Sequence, residues 1–268
     1  MIWQESAGSW YLIPVQPIGV VHFLGGAFVG TAPQLTYKWL LEQIADAGFA
    51  IITTPFVNGF DHLAIARQVL NRFENILDRL QNAQLLGFLP VYGVGHSMGC
   101  KIHLLINSLF NVERAGNVLM SYNNFPVKRS IPFLDQVDSV PFLDQLDLNI
   151  NETIDSFEFT PSPAETNEII QTSYQTRRNL LIQFENDTID QTTELSPILL
   201  ERFPNMVVSR KIPGNHLTPL GQEINWQVGE GFAPLEAFGK WMKQELSKDL
   251  VVLKAEVCRW LNPTSVVM

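Results

Sequence analysis

Cysteine is nearly missing from this chain: Cys100 and Cys258 are the two present in 268 residues. Two cysteines are too few for a disulfide framework and too few for a structural zinc site. Both are expected to be core thiols in a reducing compartment. Basic residues are scarce as well, 18 Lys and Arg against 27 Asp and Glu, for a formal charge of −9. A surface of that sign repels nucleic-acid phosphates and acidic membranes alike. Long apolar runs are absent, since no stretch reaches the roughly 18 uncharged apolar residues that cross a bilayer. Met1 to Tyr11 carry Glu5 and no Lys or Arg ahead of an apolar run, which is not the shape of a secretory signal. The expectation is a cytoplasmic protein without a transmembrane segment. Oligomeric state leaves no mark on the sequence.

What is present is ordinary globular material, 46% hydrophobic and 17% charged, enough to build a sizeable core. Ile18 to Leu24 is a continuous apolar run ending in Gly25-Gly26, the pattern of a strand covered on both faces. A helix is expected next, with Thr31 and Gln34 closing a capping box, Pro33 in the first turn, Leu35, Trp39 and Ala47 on one face, and Gly48 as the stop. Phe49 to Thr54 reads as a second strand. Leu63, Ala66, Leu70, Phe73, Leu77 and Leu80 recur at three and four and predict a long amphipathic helix. Strands over Leu89–Val94 and Gly116–Ser121 flank a helix over Met98–Leu109. Such alternation requires right-handed crossovers and a parallel sheet with helices on both sides.

From Tyr122 to about Arg178 the alternation stops. Two near-copies stand there, Ile131 to Asp138 and Val140 to Asp147, too few for a solenoid. Ser162-Pro163-Ala164-Glu165 predicts a capping box opening a helix to about Arg177. A strand over Leu180–Phe184, a helix over about Thr193–Phe203 and a strand over Met206–Ile212 follow. A helical tail is expected from Pro234 to Leu261, with a break near Ser247 to Asp249. The reading is a single domain over residues 1–268 with a helical insertion over 122–178.

Gly95-His96-Ser97-Met98-Gly99 fits G-x-S-x-G between an apolar strand and an apolar helix. The glycines permit a strained turn that lifts a serine hydroxyl from the sheet in front of a helix N-terminus. A hydroxyl is a poor nucleophile unless a base takes its proton and an acid orients that base. Glu185, Asp187 and Asp190 follow the strand ending at Phe184, and His216 follows the next strand in Pro213-Gly214-Asn215-His216. The other histidines, His22, His62, His96 and His103, fall in a strand, a helix start, the elbow and a helix, where packing or capping roles are expected. None shows the H-E-x-x-H spacing of a zinc hydrolase, and no metal or cofactor is implied.

The elbow, the stretch F-E-N-D-T-I-D and the stretch P-G-N-H, in that order, resemble the α/β-hydrolase superfamily along nearly the whole chain. More narrowly, F-L-G-G-A-F-V-G, G-H-S-M-G-C-K and F-T-P-S-P-A-E-T resemble an uncharacterised family of cyanobacterial and plastid proteins, a domain of unknown function within that superfamily. The resemblance implies an α/β-hydrolase fold: a doubly wound, mostly parallel sheet with a helical cap insertion. It also implies Ser97 as nucleophile and His216 as base. Members commonly carry G-x-x-D after the penultimate strand, and Phe184 to Asp187 matches with Phe for Gly, which favours Asp187 over Asp190 as the acid.

An acyl-transfer site needs two donors for the oxyanion. One is expected to be the N–H of Met98. Leu24-Gly25-Gly26-Ala27 resembles the H-G-G-G of lipases, with Leu for His, and places the second donor at Ala27, with Gly26 and Phe28 as alternatives. Phe133, Leu134, Phe142, Leu143, Phe157 and Phe159 of the insertion either line an acyl pocket or form the cap's own core. The expected partner is a small ester, thioester or lipid. The competing reading is an idle scaffold that binds proteins through its cap.

Overall fold

In the computed structural model, residues 1–27, 29–127, 158–220 and 246–263 are described. One eight-stranded sheet organises them, built from β1 (Gln4–Ser6), β2 (Ser9–Leu12), β3 (Gly19–Leu24), β4 (Phe49–Thr53), β5 (Val91–His96), β6 (Gly116–Met120), β7 (Asn179–Phe184) and β8 (Val207–Ile212). The spatial order is β1-β2-β4-β3-β5-β6-β7-β8. β1 and β2 pair antiparallel, as do β2 and β4, and every other neighbouring pair is parallel. The helices are α1 (Pro33–Thr36), α2 (Lys38–Asp46), α3 (His62–Asn82), α4 (Met98–Leu109), α5 (Pro163–Ser173), α6 (Thr192–Arg202) and α7 (Leu246–Leu261).

The period of two along each strand divides the core between the two faces. Val21, Phe23, Val94, Val118, Met120, Leu180 and Ile182 pack against Leu40, Leu41 and Ile44 of α2 and against Leu250, Leu253 and Val257 of α7. On the opposite face Leu24 meets Ile65 and Val69 of α3 and Ile102 of α4, while Leu119 and Leu181 meet Leu104, Ile170, Leu195 and Leu199. Strands buried on both sides must be apolar throughout. Each such side chain is worth about 1.5–3 kcal/mol when fully buried.

Several expectations are corrected. Thr31 makes no capping box: it ends a 3-10 turn, and α1 starts after Ala32 without a side-chain cap. Leu35 is exposed, because α1 and α2 are separate helices offset at Tyr37, which turns Leu35 away from the core. The expected break at Ser247 to Asp249 is not there, since α7 runs unbroken with Leu250, Leu253, Val257 and Leu261 on its buried side. Cys100 is buried as expected, but Cys258 is only half-buried at the edge of the α7 contact. The antiparallel hairpin of β1 and β2 was not anticipated.

Ser162 and Glu165 do form a reciprocal capping box, and α5 carries Ile170 into the core beside α4 and α6. This part of the segment 122–178 therefore belongs to the helical layer on the sheet. Residues 128–157, with both near-copies and with Phe133, Leu134, Phe142, Leu143 and Phe157, lie outside the described residues. Phe159 stacks on His62 at 4.3 Å between ring centroids.

Candidate active site

β5 ends in the elbow. Ser97 has φ +53° and ψ −118°, a region that costs a non-glycine residue about 1–3 kcal/mol and persists only where its surroundings hold it there. Its N–H donates to the Met120 carbonyl at 2.9 Å, which ties the turn to the end of β6. Two neighbouring glycines are required by close backbone approach. A Cβ on Gly99 would lie 2.2 Å from the Leu24 carbonyl oxygen, and one on Gly95 would lie 2.8 Å from the Cys100 nitrogen. With these contacts α4 begins directly behind Ser97. The Met98 N–H sits in the helix's first turn, where no intrahelical acceptor exists.

The loops after β7 and β8 converge on this hydroxyl. His216 Nε2 lies 3.0 Å from Ser97 Oγ, and His216 Nδ1 lies 2.8 Å from Asp187 Oδ2. The Asp187 side chain is fully buried, His216 is 17% exposed, and Ser97 is 7% exposed. The second carboxylate oxygen of Asp187 accepts the Ile189 N–H at 3.0 Å. Burial alone would push the Asp187 pKa up. Hydrogen bonding and charge from His216, with a further bond from the Ile189 N–H, hold it below the usual carboxylate value instead. The His216 loop is fixed by Gly214 at φ +125°, by the Asn215 N–H on Thr218 Oγ1, and by Asn215 Oδ1, which accepts the Leu217 N–H. The Asn186 N–H donates to the Gly214 carbonyl and binds the two loops together.

Asp190 takes a different position. Its Oδ1 accepts the Thr192 N–H at 2.7 Å at the start of α6, and burial, with a smaller contribution from the Asp187 charge, raises its pKa.

The loop after β3 lies against the elbow, since a Cβ on Gly26 would stand 3.3 Å from Ser97 Cβ. The Gly26 N–H is already spent on the Tyr37 hydroxyl at 2.8 Å, which removes it as a free donor. Ala27 comes next in this loop, and Phe28 lies outside the described residues. Two side chains around the site carry no legible sequence signal. Tyr37 sits at the junction of α1 and α2, and its hydroxyl is 2.8 Å from His96 Nδ1. His96 in turn places Nε2 2.9 Å from the His216 carbonyl oxygen. The remaining histidines lie in the core: His22 bonds Thr54 Oγ1 and stacks on Phe73, and His103 meets the edge of His22. Among the described residues no three His, Cys, Asp or Glu side chains cluster as a metal site requires, and no helix is long and apolar enough to cross a membrane.

Solved structures match this architecture along nearly its whole length. FphF, a fluorophosphonate-binding serine hydrolase of Staphylococcus aureus, shares 14% identity over 97% of each chain with a TM-score of 0.55. A soluble variant of a monoglyceride lipase from Saccharomyces cerevisiae, 13% identical, covers 99% of this chain and 96% of its own with a TM-score of 0.61. A thermostable carboxyl esterase from Bacillus coagulans, 14% identical, covers 98% and 97% with a TM-score of 0.55. At such identities the likeness is one of fold, and the fold is that of the α/β-hydrolases. No curated protein matches the chain in sequence. A model of the family described as protein of unknown function (DUF1350) matches residues 2–263, and the chain therefore belongs to that family.

Proposed function

We propose that this protein is a serine hydrolase that cleaves an ester or thioester through an acyl-enzyme. The observation that carries the reading is the pair of contacts at 3.0 and 2.8 Å that join a strained, helix-backed serine to an imidazole and a buried carboxylate. In this reading Ser97 Oγ attacks the acyl carbon while its proton passes to His216 Nε2. Asp187 keeps the proton on Nδ1 and stabilises the imidazolium. The N–H groups of Met98 and Ala27 receive the oxyanion, a role in which each donor is worth about 3–4 kcal/mol of barrier. The imidazolium then protonates the leaving alcohol or thiol, and a water molecule repeats the sequence to release the acid. The chain's likeness to esterases and a lipase supports a small acyl substrate. Of the segment 122–178, the part before Ser162 is proposed as a cap that sets substrate choice.

The test uses a fluorophosphonate, which reports an activated serine without knowledge of the substrate. Purified protein is expected to be labelled at Ser97, and Ser97→Ala is expected to abolish the adduct. A folded wild type that takes no label, or equal labelling of the variant, overturns the reading.

A further inference from the structure

The geometry points to Tyr37 and His96 as positioning residues: together they form a proton-ordered relay that holds the Gly26-Ala27 loop and the His216 backbone in register with Ser97. This inference rests on the hydrolase reading for its consequence in catalysis, though not for its hydrogen-bond pattern.

Three contacts make the relay. The Gly26 N–H meets the Tyr37 hydroxyl at 2.8 Å, the same hydroxyl meets His96 Nδ1 at 2.8 Å, and His96 Nε2 meets the His216 carbonyl at 2.9 Å. The chemistry of the two ends fixes every proton between them. A carbonyl oxygen only accepts, so His96 carries its proton on Nε2 and donates it to His216. Nδ1 is then an acceptor, so the Tyr37 hydroxyl donates to it. That leaves the lone pairs of the hydroxyl for the Gly26 N–H, which only donates. No alternative arrangement satisfies all three contacts with a neutral ring.

The members are also kept in those states. Tyr37 is 0% and His96 1% exposed. Burial, reinforced by the neighbouring His216, lowers the His96 pKa to about 3, so the ring stays neutral, and burial raises that of Tyr37. Both ends of the relay lie at reacting groups. Gly26 precedes the proposed donor Ala27, and the other end grips the main chain of the very residue whose ring contacts Ser97. His96 itself is the residue before Ser97. A buried chain whose every member is satisfied resists reorientation, and a displacement of about 1 Å at an acyl-transfer site costs roughly 100-fold in rate. Tyr37 therefore connects two loops that the sheet by itself would leave to move separately.

The experiment has two arms. In the first, Tyr37→Phe removes only the hydroxyl. With a small activated ester, kcat is expected to fall roughly 10- to 100-fold while KM stays within about twofold, and the fluorophosphonate labelling rate falls in parallel. His96→Gln, which retains a donor near Nε2, is expected to keep more activity than His96→Asn, which does not. A Tyr37→Phe enzyme with wild-type kcat, or equal losses in the two His96 variants, overturns the relay. The second arm needs no activity and no variant. Nitrogen-15 spectra of the wild-type histidines are expected to show His96 as the neutral Nε2–H tautomer from about pH 5 to 9, and an Nδ1–H or charged ring overturns the relay. Absence of fluorophosphonate labelling in the wild type would count against the hydrolase reading alone, with the relay still decided by the second arm.

Discussion

Asp187 and Asp190 are three positions apart and chemically identical, yet they are put to different use by what surrounds them. Asp187 turns one oxygen to His216 and holds the other on the Ile189 N–H of its own loop. Asp190 accepts the Thr192 N–H and closes the turn into α6. Asp187→Asn is therefore expected to cut turnover by about 10²- to 10⁴-fold with the fold intact, because an amide in that place favours the wrong imidazole tautomer. Asp190→Asn should leave turnover near wild type and lower stability by about 0.5–1.5 kcal/mol, the net worth of one hydrogen bond. Turnover and urea midpoints measured on both variants check the assignment, and the reverse pattern would transfer the role to Asp190. The sequence alone showed both carboxylates at the right strand end. The resemblance to G-x-x-D favoured Asp187, but the contacts that separate the two were not in the sequence, since they depend on which oxygen finds which N–H. Tyr37 was less legible still: its partner His96 lies 59 residues away, and nothing in a lone tyrosine before a helix announces such a contact.

Among the elements, α4 was the most readable, and its limits over Met98–Leu109 agree with the sequence pattern. The reason is that a helix buried on nearly all sides, between a glycine elbow and a polar exit, has few other ways to fold. α4 also approaches the sheet closely, because the Leu24 and Gly25 carbonyls lie where any side chain at position 99 would have to go. Gly99→Ala is expected to destabilise the protein by at least about 1–3 kcal/mol, the usual cost of overpacking, and to pull Ser97 out of place. Gly87→Ala, where nothing lies within 4 Å, should be silent in the same thermal melt. Equal melting temperatures for the two variants would contradict this picture. Elements that escaped the sequence reading did so for identifiable reasons. β1 is three residues long and polar, and its hairpin with β2 is held by edge pairing that no hydrophobic period reveals. The offset between α1 and α2 arises where the Tyr37 ring turns inward, a tertiary demand that overrode the local capping signals at Thr31 and Gln34.

On the scale of the whole molecule, four of the five histidines are buried: His22, His62, His96 and His103 are each 4% exposed or less. Burial is the leading cause in every case, and it lowers the pKa of His62, His96 and His103 to about 3, with His22 lowered as well. The unfolded chain accepts these protons near the ordinary value of about 6.5, so between the two values it binds more protons than the native protein. Stability is therefore whole above that ordinary value and declines as the pH falls towards the native values, by about 1.4 kcal/mol per unit for each histidine. A urea midpoint at about pH 5 well below that at about pH 7.5 is expected, and equal midpoints would contradict it. The four rings lie in β3, α3, the elbow and α4, so the acid sensitivity belongs to the half of the sheet that carries Ser97.

The contact between Ser97 and His216 spans 119 residues of chain, whereas that between His216 and Asp187 spans 29. Contacts of long sequence separation close late, because the entropy of the intervening loop opposes them until the strands between have docked. During synthesis from the N-terminus, β3, β4 and β5 are available to pair long before residue 216 exists. The elbow hydroxyl thus waits without the His216 imidazole through most of the chain's assembly. It acquires the His216 contact only when β8 takes its place at the edge of the sheet, so a chain that ends before residue 216 carries Ser97 without it.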